Sequence, residues 1–125
     1  MPVKVGIDLV ETDEVRESLD AHGQRYLQRI YTEVEQRECG SDARRLAARF
    51  AAKEATMKAL GRRNEALSWR SVEVAQDPTG RPSLRLTGGA AELAGRRGVR
   101  RVEVSLTEGR LQGAALVLAE VEALR

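Results

Sequence analysis

The sequence has 125 residues, of which 42% are hydrophobic and 3% aromatic, and its formal net charge is +2. This length predicts one domain with an aliphatic, alanine-rich core. The single cysteine, Cys39, excludes an intramolecular disulfide and suits a reducing compartment. Because no apolar run approaches the roughly 18 residues of a membrane span and the chain opens as a strand rather than a signal peptide, we expect a soluble, cytoplasmic protein.

The charges are unevenly distributed along the chain. Residues 1–40 carry five basic and nine acidic side chains, whereas residues 44–63 carry seven basic and one acidic. A basic segment of this kind can be a solvated surface, or it can attract a polyanion or a phosphorylated cofactor. Nucleic acid is the less favoured anion, because base stacking usually needs aromatic side chains and this segment offers only Phe50.

The chain begins with a strand and then becomes helical. Alternating apolar residues predict a strand whose core-facing side chains are Val3, Val5, Ile7 and Leu9. Asp8 falls on the opposite face, near the end of that strand. Thr12 is predicted to cap the first helix, which ends at His22 and Gly23.

A capping box formed by Thr32 and Glu35 predicts a helix that stops at Cys39 and Gly40, after a short helix around residues 26–30. The later elements are predicted to be a long helix over 42–60 capped by Ser41, a hairpin of strands 71–75 and 83–87, a helix over 90–97, and strands 101–106 and 111–121. This order predicts an α+β fold, in which helices mainly from the N-terminal half pack on an antiparallel sheet.

The long helix has two different faces. At about 100° per residue, one arc carries the large apolar residues Leu46, Phe50, Met57 and Leu60, while the opposite side carries alanines. We expect both faces to pack against other structure. Because 125 residues supply little to cover both, the pattern predicts association with further copies of the chain.

The charged residues of this helix allow two interpretations. Glu54 and Lys58 have the i,i+4 spacing of a helix ion pair, which contributes roughly 0.3–0.5 kcal/mol. Lys53 lies inside the apolar arc, where a lysine either extends its stem to solvent or lies near an anion.

Two motifs resemble a known family. The stretch Phe50-Ala51-Ala52-Lys53-Glu54-Ala55, followed by Lys58-Ala59-Leu60-Gly61, resembles the signature helix of the holo-acyl-carrier-protein synthase type of 4′-phosphopantetheinyl transferases. Gly6-Ile7-Asp8-Leu9-Val10-Glu11 resembles that family's Gly-Ile-Asp element. The resemblance, which runs along nearly the whole chain, implies that a homotrimer with sites at its subunit boundaries moves the phosphopantetheine arm of coenzyme A to a serine of an acyl carrier protein. The reaction would depend on Mg²⁺ and release 3′,5′-ADP.

The residues themselves point to the same chemistry. Asp8 and Glu54 are too few ligands for a calcium cage but suit Mg²⁺, which keeps several waters and binds substrate phosphates. The basic side chains expected to surround a phosphorylated substrate are Lys53, Lys58, Arg62 and Arg63. They fit phosphoryl-type transfer, in which positioning and charge neutralisation supply most of the catalysis.

The resemblance also implies roles for single residues. Asp8 and Glu54 match the metal-binding carboxylates, Glu54 also helps to take the serine proton, and Lys58 neutralises the phosphates. Further substrate-binding positions are expected at Arg49, Lys53, Gly61, Arg62, Ser105, Thr107, Glu108 and Arg110.

Two features depart from the family pattern. Glu108 stands where the family's Ser-x-Thr/Ser-His element has its histidine. A carboxylate 4 Å from a phosphate repels it by about 4 kcal/mol at an effective dielectric near 20, unless Arg110 or Arg62 compensates. In addition, the first helix is acidic where family members present basic side chains to the carrier protein. Two alternatives therefore stay open: a non-catalytic relative that acts as an interaction or structural subunit, and a small nucleic-acid-binding protein.

Overall fold

A computed structural model describes residues 2–123 as five α-helices, five β-strands and one single-turn 3-10 helix at Trp69–Ser71. The elements are, in chain order, β1 Val3–Glu11, α1 Thr12–His22, α2 Gln24–Ile30, α3 Glu33–Cys39, α4 Ala43–Ala59, β2 Val72–Gln76, β3 Pro82–Leu86, α5 Gly88–Arg96, β4 Val99–Thr107 and β5 Gln112–Val121. Four of the helices precede β2, which confirms the predicted α+β class. No helix within residues 2–123 is long and apolar enough to cross a membrane.

The strands form two antiparallel sheets. The main sheet has the order β1-β5-β4, and the β2-β3 hairpin is separate. In the main sheet, Asp8 of β1 and Leu106 of β4 both pair with Ala115 of β5. Helix α4 crosses the inner face of this sheet and contacts both β1 and β5.

Two glycines let α4 approach the sheet very closely. A Cβ atom at Gly6 of β1 would lie 1.8 Å from the carbonyl oxygen of Ala55, and one at Gly113 of β5 would lie 2.5 Å from the backbone nitrogen of Ala48. The alanine face of α4 therefore rests on glycines. This contact sets the distance between the helix and the inner face of β1.

The predicted orientation of β1 is wrong. The four residues predicted to face the core are 51% to 63% exposed, whereas Gly6 and Val10 on the other face are buried. Alternation identifies the strand but does not decide which face is covered, and the alanine side of α4 accepts only the face that contains glycine. Together with two leucines of β5, the exposed residues form an outer sheet face: Val3, Val5, Ile7, Leu9, Leu116 and Leu118.

The expectation that α4 needs another chain to cover one of its faces is also wrong. Large residues such as Leu46 and Leu60, and alanines such as Ala51 and Ala55, are all buried within the single chain. Helix α4 contacts β2 and α1 in addition to the main sheet. What the chain leaves uncovered is the outer sheet face.

The helix caps follow the predictions in part. The capping box of Thr32 and Glu35 is confirmed. Asp42, not Ser41, caps α4, because its carboxylate accepts from the backbone nitrogens of the first turn. Thr12 is the first residue of α1 rather than its cap, and its hydroxyl donates to the Gly109 carbonyl oxygen at 3.0 Å.

Candidate active site

Asp8, Glu54 and Lys58 come together where β1 meets the C-terminal half of α4. The Lys58 ammonium donates to the Asp8 carboxylate at 2.9 Å and to the Ile7 carbonyl oxygen at 3.1 Å. The Lys58 side chain is 57% exposed and that of Asp8 only 14%. The salt bridge of Lys58 is thus made with a residue fifty positions away, rather than with Glu54 one turn earlier.

The surroundings of Glu54 raise its affinity for a proton. Burial raises the pKa of Glu54 to about 7, and a hydrogen bond to Asp8 and the negative charge of Asp8 act in the same direction. Lys58 and Arg62 oppose this shift in pKa. The hydrogen bond to Asp8 likewise raises the pKa of Lys58. Near neutral pH Glu54 is therefore about half protonated, and a cation bound beside it would compete with that proton.

The donor set fits a magnesium ion. Two adjacent carboxylates with solvent and a cationic lysine beside them leave room for the waters and phosphate oxygens that complete a Mg²⁺ octahedron. Within residues 2–123 no group of three or more histidine, cysteine, aspartate or glutamate side chains could hold a metal ion. The site therefore lacks the ligands of a metal cage built wholly from protein.

Two cavities adjoin Lys58. The larger, of about 490 Å³, is lined by the basic residues Lys4, Lys58, Arg63 and Arg97 together with Gly61 and apolar residues that include Val99 and Val121. The smaller, of about 120 Å³, is lined by Glu54, Met57, Lys58, Arg62 and Trp69. Lysine and arginine side chains on both sides of the carboxylates make the region suitable for a ligand with several phosphates.

Arg49 and Lys53 are buried away from these cavities. The Lys53 ammonium donates to the Glu35 carboxylate at 2.7 Å and to the carbonyl oxygens of Trp69 and Val72. The Arg49 guanidinium bonds Glu38 at 2.7 Å, the Val74 carbonyl oxygen at 2.9 Å and the Cys39 thiol. Both side chains join α3 and β2 to α4, so the geometry does not support the predicted substrate contacts of Arg49 and Lys53.

The predicted residues near the end of β4 lie elsewhere. Ser105 and Thr107 are exposed and alternate with the inner-face residues Val104 and Leu106, so they share the outer side of the sheet. Glu108 and Arg110 are exposed in the following turn. Within residues 2–123 neither forms a salt bridge, so Arg110 does not neutralise Glu108. Ser105 and Thr107 therefore lie on the side of the sheet opposite Asp8.

Sequence reasoning missed several cavity residues. Lys4 comes from β1 and Arg97 directly follows α5, and only the fold brings them to Arg63, which the sequence already placed near a phosphorylated substrate. Trp69 could have been singled out as a candidate, because it is the only tryptophan of the sequence. Glu35 was recognised as a capping residue, which hid its second role as the partner of Lys53.

Comparisons with known proteins agree with the motifs. The family model of the 4′-phosphopantetheinyl transferase superfamily matches residues 4–114. A holo-[acyl-carrier-protein] synthase of Herpetosiphon aurantiacus is 42% identical, over 90% of this chain and 94% of the relative. One of Koribacter versatilis is 41% identical, over 96% and 99%.

Among solved structures, the complex of the synthase of Chronobacterium ammoniagenes with coenzyme A superimposes with a TM-score of 0.85 at 28% identity, covering 98% of this chain and 100% of that one. The resemblance inferred from the two motifs is therefore confirmed. The chain belongs to the 4′-phosphopantetheinyl transferase superfamily, among the holo-[acyl-carrier-protein] synthases.

Proposed function

We propose that this protein transfers the 4′-phosphopantetheine arm of coenzyme A to a serine of an acyl carrier protein and releases 3′,5′-ADP. The observation that carries the proposal is the assembly of Asp8, Glu54 and Lys58 from two distant segments into one partly open site. The names of the relatives and the coenzyme A complex of the structural neighbour support the same substrates.

In this reaction the serine oxygen bonds to the phosphorus next to the pantetheine arm, and the bond from that phosphorus to the 3′,5′-ADP oxygen breaks. Asp8 and Glu54 are the residues that would hold Mg²⁺, which when bound neutralises charge on the diphosphate. Lys58 would donate to the phosphates and to the departing ADP. The ionised Glu54 is the group suited to accept the serine proton, directly or through water, because its pKa of about 7 matches neutral conditions.

The test is transfer followed by mass spectrometry, with coenzyme A, Mg²⁺ and a panel of carrier proteins. Asp8→Ala and Glu54→Ala should abolish transfer while the protein stays folded, and a chelator should abolish it in the wild type. Glu92→Ala is the matched control, since Glu92 is an exposed carboxylate on α5. An active Asp8→Ala protein, or full activity with chelator, would contradict the metal-dependent mechanism. A folded wild type that neither binds nor uses coenzyme A would leave the non-catalytic alternative standing.

We further propose that the working form is a homotrimer that buries the outer sheet face. Val5 pairs with Leu118 and Ile7 with Leu116, so the exposed apolar residues are contiguous. Ser105 and Thr107 share this side of the sheet, whereas Asp8 lies on the other. If Ser105 and Thr107 contact the same substrate as Asp8, a second copy of the chain must supply one of these two groups. This favours a site at a subunit boundary.

The assembly is tested by the mass in solution. Light scattering should give three times 13.8 kDa, or about 41 kDa. Ile7→Glu should yield a monomer that has lost transfer, since a charge in a buried apolar interface is strongly unfavourable. Ala91→Glu, on the exposed side of α5, is the control and should leave both mass and transfer unchanged. A wild type that stays monomeric at working concentrations would remove the shared-site proposal.

A further inference from the structure

We propose that Trp69 is a positioning residue that holds the Arg62 guanidinium at the wall of the smaller cavity, where Arg62 meets the diphosphate of coenzyme A. This inference rests on the proposed transfer function. It assigns a role to the only tryptophan of the chain, which neither motif includes.

The backbone first brings Arg62 back toward α4. Gly61 has a φ of 71°, a left-handed conformation that favours glycine, and the helix ends there. The Arg62 backbone nitrogen then bonds the Met57 carbonyl oxygen at 3.1 Å. The main chain is thus fixed one residue beyond the turn, whereas the long Arg62 side chain is exposed and gains its direction only from what it touches.

That contact is the indole ring of Trp69. The Arg62 guanidinium carbon lies 5.6 Å from the ring centroid, within the range of a cation–π interaction. Both residues line the cavity that also contains Glu54 and Lys58. The ring therefore places a second cationic group beside Lys58 at this cavity.

Trp69 is itself held from two sides. Its ring packs edge-to-face on Phe50, with centroids 5.1 Å apart, and its carbonyl oxygen accepts from the buried Lys53 ammonium at 3.0 Å. Ser68 caps the single turn that begins at Trp69. A ring fixed in this way restricts the rotamers of Arg62 before the substrate arrives, which lowers the entropy lost on binding.

The test is a double-mutant cycle on the Michaelis constant for coenzyme A. Trp69→Leu and Arg62→Ala should each raise KM by roughly three- to tenfold with little change in kcat, because binding common to ground state and transition state is lost. Trp69→Phe, which keeps an aromatic face, should retain most of the affinity. In the Arg62→Ala background, Trp69→Leu should have no further effect on KM.

Leu67→Ala is the control for a general loosening of this loop. Leu67 packs in the same segment, against the cluster that includes α5, but it does not line the smaller cavity. Its substitution should lower the melting temperature without raising KM. A structural role of Trp69 alone would give the opposite result, with Trp69→Leu raising KM equally in both backgrounds, and that outcome would overturn the proposal.

Fluorescence provides a second measurement if Trp69→Leu fails to fold. Because Trp69 is the only tryptophan, Arg62→Ala should change the emission of the folded protein, and Arg63→Ala, its neighbour in the other cavity, should not. Equal spectra for Arg62→Ala and wild type would overturn the inference. A wild type without coenzyme A binding would overturn the transfer function and this inference together, whereas an active wild type whose KM ignores Trp69→Leu would overturn this inference alone.

Discussion

Two lysines of helix α4, five residues apart, have opposite environments. Lys53 and its partner Glu35 are both fully buried, with a nitrogen–oxygen distance of 2.7 Å. Lys58 is 57% exposed and pairs with Asp8 at 2.9 Å. Burial lowers the pKa of Lys53, although Glu35 opposes this, whereas the hydrogen bond to Asp8 raises the pKa of Lys58.

The difference shows that burial, rather than residue type or motif membership, separates a structural charge from one that can act on a substrate. The Lys53 ammonium bonds two backbone carbonyl oxygens and one carboxylate, so its hydrogen atoms have partners within the protein. Lys58 keeps solvent access beside a cavity. The first lysine holds β2 against α4, and the second is available to phosphates.

The largest expected effect comes from breaking the buried pair. Lys53→Ala leaves the Glu35 carboxylate buried without its cation and should lower the free energy of unfolding by about 3–5 kcal/mol. Lys58→Ala, the matched change in the exposed pair, should lower it far less, because solvent screens that pair. Denaturant unfolding of both variants measures the two values. Equal losses would contradict the comparison.

Replacing both members of the buried pair sharpens this result. In Lys53→Met with Glu35→Leu, no charge is left without a partner, so much of the stability lost in Lys53→Ala should return. Recovery will be incomplete, because Glu35 also accepts from the backbone nitrogens of Val74 and Thr32. A double variant less stable than Lys53→Ala would show that these backbone bonds, rather than the charge pair, dominate.

The second prediction reverses the order of the two lysines. Lys58→Ala should reduce kcat for phosphopantetheine transfer by roughly 100- to 1,000-fold, the usual loss when one group that stabilises developing charge is removed. Its melting temperature should stay close to that of the wild type. Steady-state kinetics with coenzyme A and a carrier protein measure the loss. Near-normal turnover would remove Lys58 from the mechanism.

The fold was predictable from the sequence in its elements but not in its faces. Alternation located β1 and β4, and the Thr32–Glu35 pattern located α3, because these signals are local. The inward face of β1 was mispredicted, since the choice depends on Gly6 meeting the backbone of Ala55 across the core. Strand periodicity depends only on neighbouring residues, so it cannot reveal that long-range contact.

The candidate site divides in the same way. Asp8, Glu54 and Lys58 were predicted from the motifs, and the structure places them together. Lys53, in the same motif, is buried against Glu35. The sequence did not indicate this pair, because Glu35 lies eighteen residues earlier and its capping pattern already explained it. Pairing across the core is what single-sequence reasoning could not supply.

The third prediction concerns the dependence of stability on pH. Glu54 has a pKa of about 7 in the folded protein, above its ordinary value, so the folded state binds more protons between these two values. Its contribution is fully present below the unfolded pKa and is lost as pH rises through about 7. Relative to Glu54→Gln, the wild type should lose about 1 kcal/mol between pH 5 and 8, a value reduced for the partial exposure of the group.

Denaturant unfolding at both pH values measures this difference. Mg²⁺ should restore stability more at pH 8 than at pH 5, because protons compete with the cation for the two carboxylates. Identical pH dependence of wild type and Glu54→Gln would show that burial and Asp8 do not raise the pKa of Glu54.

The smallest effect is expected at Glu108, the position that departs from the family pattern. Glu108 is exposed and, within residues 2–123, has no salt-bridge partner. Water therefore screens its charge, and the repulsion of a phosphate 4 Å away falls to about 1 kcal/mol rather than the 4 kcal/mol of a partly shielded site. Glu108→His should tighten coenzyme A binding by up to about fivefold, and the gain should be larger at low pH, where the imidazole is protonated.

Calorimetric titration of coenzyme A at pH 6 and pH 8 measures this gain, with Glu92→His as a control. If the site is shared at a subunit boundary as proposed, the gain should appear only in the assembled protein. A gain that persists in the Ile7→Glu monomer would place Glu108 at the site of its own chain.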